Sequence, residues 1–270
     1  MPLNQISGPI PVRDIVHRVI RRGFQVMNLE HYTGILFLHG CCRYAVECDH
    51  ELLTKDLMER LSPFVREVKA FPCNFLNYRC GGNATAWLLL KGKLPEAAPI
   101  VERYAEELLH AAPRTQEGIF TLPRDPDKGK VWIDVAFAVS PFLAFAGLAL
   151  NRPDYLDEAV FQTKAMVELL RDPQTGLLHQ SRGFNGLDKF SQDHWSRGNG
   201  WGLFALAELL QVVPDDHPQR LWVEATTRDL LLAALSVQDD DGMWHQEMTM
   251  PESYPETSGT GLILYALGVA

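Results

Sequence analysis

Two kinds of helical pattern alternate along this chain, and that alternation restricts the fold more than any other feature. In the first kind, apolar residues recur near the 3.6-residue period. Residues 13–26 carry Ile15, Val16, Val19, Ile20 and Phe24 in this way, and residues 52–68, 95–111, 155–170 and 221–237 repeat it. The second kind is apolar nearly all round and covers residues 33–44, 84–90, 135–150, 202–212 and 259–269. A helix with one polar face lies at a surface, and a helix with none is buried on both sides. Strict alternation of the two predicts an all-α chain in two concentric layers, with apolar helices inside and amphipathic ones outside.

An internal repeat runs in step with the layers. Gly118-Ile119-Phe120, Gly176-Leu177-Leu178 and Gly242-Met243-Trp244 each follow a polar turn at the end of an amphipathic helix. Their glycines stand 58 and 66 residues apart. The unit is outer helix, turn, short extended piece, long loop, inner helix. Six such hairpins closed into a ring need roughly 360 residues, whereas the chain has 270. The pattern supplies about ten helices, and the expectation is one toroidal domain over residues 1–270, short of its last two helices at the C-terminus.

Charge and cysteine content narrow the function. Lys and Arg total 25 against 34 Asp and Glu, a net charge of −9. With no basic block, nucleic acid is not an expected partner. The most apolar stretch, residues 131–150, is interrupted by Asp134 and Pro141. It lacks the run of about 20 apolar residues that a membrane span requires. Met1 to Gln5 shows no secretion signal, and the five cysteines, two of them adjacent at Cys41 and Cys42, show no metal-binding spacing. These features predict reduced thiols and a cytoplasmic setting, with no membrane partner. Oligomeric state is left open, although an incomplete ring exposes an apolar edge.

The chemistry is expected on the long loops at one rim. Asp134 opens an apolar helix just after Trp132. Either it serves the helix N-terminus, where charge and dipole agree, or it is held for chemistry. Burial beside Trp132 raises a carboxyl pKa, as a general acid needs. His194-Trp195-Ser196-Arg197-Gly198-Asn199-Gly200-Trp201 packs two indoles, a guanidinium and two glycines into eight residues. Aromatic faces beside an Arg fork suit a sugar bearing a carboxylate, and the glycines allow backbone to approach a ligand. The alternative is a tight loop whose Trp side chains only fill core. His179, His245 and His31 are weaker candidates, each equally readable as a structural group. Residues 252–259 read as a rim loop in which Thr257 or Ser258 caps the last helix. No phosphate loop, HExxH or GxSxG occurs, so no metal or organic cofactor is expected.

In order, Pro113-Arg114-Thr115 with Glu117-Gly118, Trp132-Ile133-Asp134, Asp172-Pro173 with Thr175-Gly176-Leu177 and His179, Trp195 to Trp201, Asp241-Gly242 with Trp244, and Ser253-Tyr254 with Glu256 and Ser258-Gly259 resemble the unsaturated rhamnogalacturonyl hydrolases of glycoside hydrolase family 105. Family 88, the unsaturated glucuronyl hydrolases, is the near cousin. The resemblance implies an (α/α)6 barrel acting on unsaturated uronyl oligosaccharides, the products of polysaccharide lyases. It implies hydration of the C4=C5 vinyl ether without a cofactor, with Asp134 as general acid/base. Trp132, His179, Trp195, Arg197 and Trp201 are implied to line the substrate pocket, with His31 a looser match. It also implies a further Asp before the second inner helix, where residues 74–83 carry no carboxylate. A sugar-binding toroid without turnover is therefore the rival reading. A sugar epimerase would need two inward histidines, for which His179 and His245 are available.

Overall fold

The computed structural model describes residues 10–68, 75–121 and 129–270. Met1 to Gln5, read above for a leader, lie outside them, as do Cys73 and Asn74. Among the described residues the chain forms α1 (Val12–Val26), α2 (Tyr32–Glu47), α3 (Glu51–Val65), α4 (Asn83–Leu90), α5 (Ala98–Ala111), α6 (Asp134–Leu150), α7 (Pro153–Leu170), α8 (Ser196–Val212), α9 (Arg220–Leu235) and α10 (Thr257–Val269). Even-numbered helices pack on one another in sequence, α2 on α4, α4 on α6, α6 on α8 and α8 on α10. Odd-numbered ones cover them, α3 on α2, α7 on α6 and α9 on α8. Apolar and amphipathic helices thus take the inner and outer layers that their composition demands.

The inner layer is the core. Every residue of α6 from Val135 to Gly147 is buried, and Phe142, Leu143 and Phe145 are fully enclosed. Each such side chain contributes about 1.5–3 kcal/mol on transfer from water. Glycine lets α8 lie against its neighbours. A Cβ on Gly200 would meet Leu262 of α10 at 2.7 Å, and one on Gly202 would meet Leu178 at 2.6 Å. The glycines around Trp201 therefore serve helix packing rather than a ligand-facing loop. Residues 196–201 are the opening turns of α8, not the loop expected from their composition.

The three repeat glycines end their turns in the left-handed region, with φ of 85° at Gly118, 75° at Gly176 and 78° at Gly242. L-residues with a Cβ seldom adopt it. Short extended pieces follow. Strands β1 (Val131–Trp132) and β2 (Ser181–Arg182) pair antiparallel, Val131 opposite Arg182 and Trp132 opposite Ser181. Arg182 reaches Glu117 of the first turn at 2.7 Å, tying two repeats together at the rim. At the last inner helix the cap is Glu256, which accepts from the N–H groups of Ser258 and Gly259. This corrects the expectation of Thr257 or Ser258: the longer carboxylate satisfies two free N–H groups where a hydroxyl serves one.

Helices α10 and α2 face each other across a cavity of about 430 Å³, with Leu36 and Arg43 on one side and Leu262 and Tyr265 on the other. Glu208 of α8 spans this region. Fully buried, it accepts from Arg43 Nη1 at 2.8 Å and from the Tyr265 hydroxyl at 2.5 Å, and it pairs with His39 Nε2 at 3.1 Å. No helix among the described residues is long and apolar enough to cross a membrane.

Candidate active site

Four segments converge on a second cavity, of about 450 Å³. β1 and the first turn of α6 bring Trp132 and Asp134, and the start of α8 brings Trp195, Arg197 and Trp201. The turn into α2 brings His31 and Tyr32, while Phe75 caps, and Tyr78 lies within, the short helix Leu76–Cys80 before α4. All but one of the pocket residues expected from sequence are brought together here.

Asp134 sits at the deep wall. It is the first residue of α6 rather than its cap, which is Ile133 with no side-chain cap bond. Its Oδ2 is buried without a hydrogen-bond partner. Burial pushes the carboxyl up to about 7 from an ordinary 3.8. Its own N–H, the Arg197 charge and the Trp201 indole oppose this more weakly. The Trp201 N–H faces the carboxyl but falls short of a sound hydrogen bond, since Nε1 too is buried and unpartnered. A carboxyl so placed holds its proton near neutral pH and keeps contact with the cavity.

The Arg197 guanidinium carbon lies over the Trp195 ring, 4.1 Å from its centroid. One arm donates to Ser258 Oγ at 3.3 Å, and its Nε is buried without a partner. Glu256 stands behind Ser258. Burial raises its pKa, but the Ser258 hydroxyl and two backbone N–H groups outweigh this and hold it ionised. The guanidinium is thus braced and still has hydrogens to give. The aromatic wall is braced as well. Trp201 stacks on Phe137 at 4.3 Å and meets Tyr32 edge-on at 6.4 Å. With the Gln180 amide turned to suit its neighbours, its oxygen accepts from the Trp132 indole N–H at 3.0 Å and its nitrogen donates to Asp193 at 3.1 Å. His31 is exposed at the rim, its ring against Tyr32 at 4.4 Å and its Nδ1 on Thr33 Oγ1 at 2.9 Å.

His179 is the exception. It does not line this cavity but stacks between Phe190, at 5.4 Å, and His194, at 5.0 Å. The reason is local: the turn after α7 is stapled by Asp172, which accepts from His194 Nε2 at 2.9 Å. Glu247 lies 3.6 Å from the other nitrogen of His194. Glu247 foremost, with Asp172, raises the His194 pKa against the effect of burial. Ligand atoms of Asp172, His179 and His194 lie within 4.8 Å of one another, a set able to hold a divalent ion. Both oxygens of Asp172 already accept hydrogen bonds, from Gln174 N, Thr175 and His194, and so staple the loop, while Nδ1 of His179 and Nδ1 of His194 are buried without hydrogen-bond partners. His245 is likewise held, by Asp239 at 3.0 Å and by the Ser253 carbonyl.

Sequence reasoning missed several wall residues: Asn28, Glu30, Tyr32, Phe75, Tyr78 and Phe137. Phe137 and Tyr32 lie in helices that read as core, and their aromatic side chains carried no signal apart from packing. In the stretch where a further carboxylate was implied, Asn77 is fully buried and donates Nδ2 to the Ala138 carbonyl at 2.7 Å.

The Glycosyl Hydrolase Family 88 profile matches residues 13–270. The unsaturated rhamnogalacturonyl hydrolase YesR of Bacillus subtilis (strain 168) is 30% identical over 172 residues, which is 60% of this chain and 48% of YesR. An unsaturated 3S-rhamnoglycuronyl hydrolase of Formosa agariphila is 32% identical over 146 residues, 50% of this chain and 39% of that protein. The chain thus spans half or less of the length of these curated relatives. A crystal structure of a possible member of the GH105 family from Klebsiella pneumoniae superposes with a TM-score of 0.82 at 23% identity, covering 100% of this chain and 78% of that one. The match extends the two-layered helical reading to a toroid of the same architecture.

Proposed function

Since the chain belongs to Glycosyl Hydrolase Family 88, we propose that it cleaves 4,5-unsaturated uronyl oligosaccharides by hydrating the vinyl ether, with unsaturated rhamnogalacturonan disaccharide as first substrate and unsaturated glucuronyl sugars as the alternative. One observation carries this reading: a carboxyl with a pKa near 7 and a free buried oxygen shares a cavity with a braced arginine and stacked aromatic rings.

An alkene carbon is a weak base, so its acid must be protonated at working pH. Asp134 meets that need. It gives its proton to C4 while water adds at C5 and returns a proton to the carboxylate. The hemiketal at C5 opens to a ketone, and the hemiacetal left at C1 expels the aglycone alcohol. One water is consumed and one glycosidic bond broken, and Asp134 ends protonated as it began. Arg197 binds the uronate carboxylate through its free guanidinium hydrogens, drawing an anion into a protein of net charge −9. Trp132, Trp195 and Trp201 give the sugar apolar faces, with His31 at the entrance. Cys41, Cys42 and Cys80 are free and buried, which supports a cytoplasmic setting.

The test follows the ultraviolet absorbance of the conjugated uronate in the parent and in Asp134→Asn. Decay in the parent that vanishes in the variant supports the proposal. A second reading, sugar binding without turnover, is favoured by Asn77, because an amide cannot exchange a proton at neutral pH. A flat trace with every unsaturated uronide, together with measurable binding, would establish that reading instead.

A further inference from the structure

Helix α6 contains Pro141. Proline has no N–H, so the helical bond from position 141 back to the Phe137 carbonyl cannot form, and the ring crowds that carbonyl. The Phe137 oxygen is nevertheless paired. Asn83, the first residue of α4, donates its Nδ2 to it at 3.2 Å. One residue further, Asn77 donates to the Ala138 carbonyl. Both asparagines are fully buried, and both leave Oδ1 without a partner. An unpaired buried amide oxygen is costly, so each side chain is held in place for what it donates.

The residues pinned are those of the cavity wall. Phe137 and Ala138 line it, and Asp134 lies one helical turn before Ala138. The Phe137 ring carries Trp201, whose indole faces Asp134.

We propose that Asn83, seconded by Asn77, is a positioning residue for Asp134: its amide replaces the N–H that Pro141 lacks, and so fixes the first turns of α6 together with the Phe137–Trp201 stack. The proposal rests on Asp134 as the proton donor. It needs no contact between Asn83 and substrate.

The test is a double-mutant cycle on positions 83 and 141. Pro141→Ala returns an N–H to the Phe137 carbonyl, whose two lone pairs accommodate both donors. In the parent background Asn83→Ala is expected to lower kcat roughly tenfold or more with little change in KM, the signature of a displaced acid. It is also expected to move the Asp134 midpoint in a carbon-13 carboxyl NMR titration. With Pro141→Ala present, the same substitution is expected to change kcat by less than about threefold and to leave the midpoint in place. Equal losses in both backgrounds would overturn the proposal, because a plain cavity effect is indifferent to position 141. Should Asn83→Ala fail to fold, recovery of folding by Pro141→Ala supports the proposal and continued failure refutes it. The NMR midpoint requires no turnover. A parent inactive on all unsaturated uronides would sink the functional reading, while the midpoints would still decide the positioning.

Discussion

Two carboxylates on the inner helices have opposite fates. Glu208 is fully enclosed, yet its pKa is lowered: burial pushes upward as the largest single influence, and His39, Arg43 and Tyr265 together reverse it. Asp134 retains contact with a cavity, yet its pKa rises to about 7. Depth alone therefore does not set ionisation. Glu208 is surrounded by donors and carries a settled charge, whereas Asp134 has an oxygen with no donor and keeps its proton. One is a fastener between α2, α8 and α10, and the other is the proton donor of the proposed reaction.

The contrast can be broken in order of expected effect. Asp134→Asn keeps shape and removes the transferable proton, so turnover should fall by roughly a thousandfold with binding retained; initial rates and calorimetric titration with the same disaccharide check both halves. Arg43→Ala should cost about 3–5 kcal/mol, because it leaves the Glu208 charge enclosed without the guanidinium that pairs with it at 2.8 Å. Urea unfolding measures this, and activity per folded molecule should change far less.

Stability against pH sharpens the contrast further. The Asp134 pKa is raised from 3.8 to about 7 on folding. Its contribution is full below pH 3.8 and is lost as pH climbs to about 7, since the unfolded chain releases that proton first. Asp134→Asn should therefore match the parent near pH 4 and exceed it at pH 8 by about 4 kcal/mol. Glu208→Gln should do the reverse, removing stability that is present above pH 4.5 and lost as pH falls through the lowered folded value. Parallel pH curves for the two variants would refute the distinction. The smallest effect is expected from Arg197→Lys, which keeps the charge and loses the fork. KM should rise roughly tenfold with kcat little changed.

The layers were legible in sequence because they follow from which helices have a polar face. Trp132, Asp134, Trp195, Arg197 and Trp201 were legible because a carboxylate in an apolar run and two indoles beside an arginine contradict simple burial. Asn83 was not legible: its partner is defined by a proline 58 residues away that only the fold brings near. Glu208 did leave a trace, a lone acid in Phe204-Ala205-Leu206-Ala207-Glu208-Leu209. Its donors lie on helices more than 50 residues off in either direction. His179 misled because a histidine after a glycine turn looks the same whether it faces a ligand or a neighbouring ring.

The repeat turns have a consequence for how such a protein can diversify. Each rim loop begins at a glycine pinned in the left-handed region and ends where a buried inner helix begins. Lengthening or exchanging the span between two such anchors leaves the scaffold register untouched. The cavity rim can drift quickly under selection while the start of α6, the seat of Asp134, stays still, so under the proposed function the aglycone accepted could change without the chemistry.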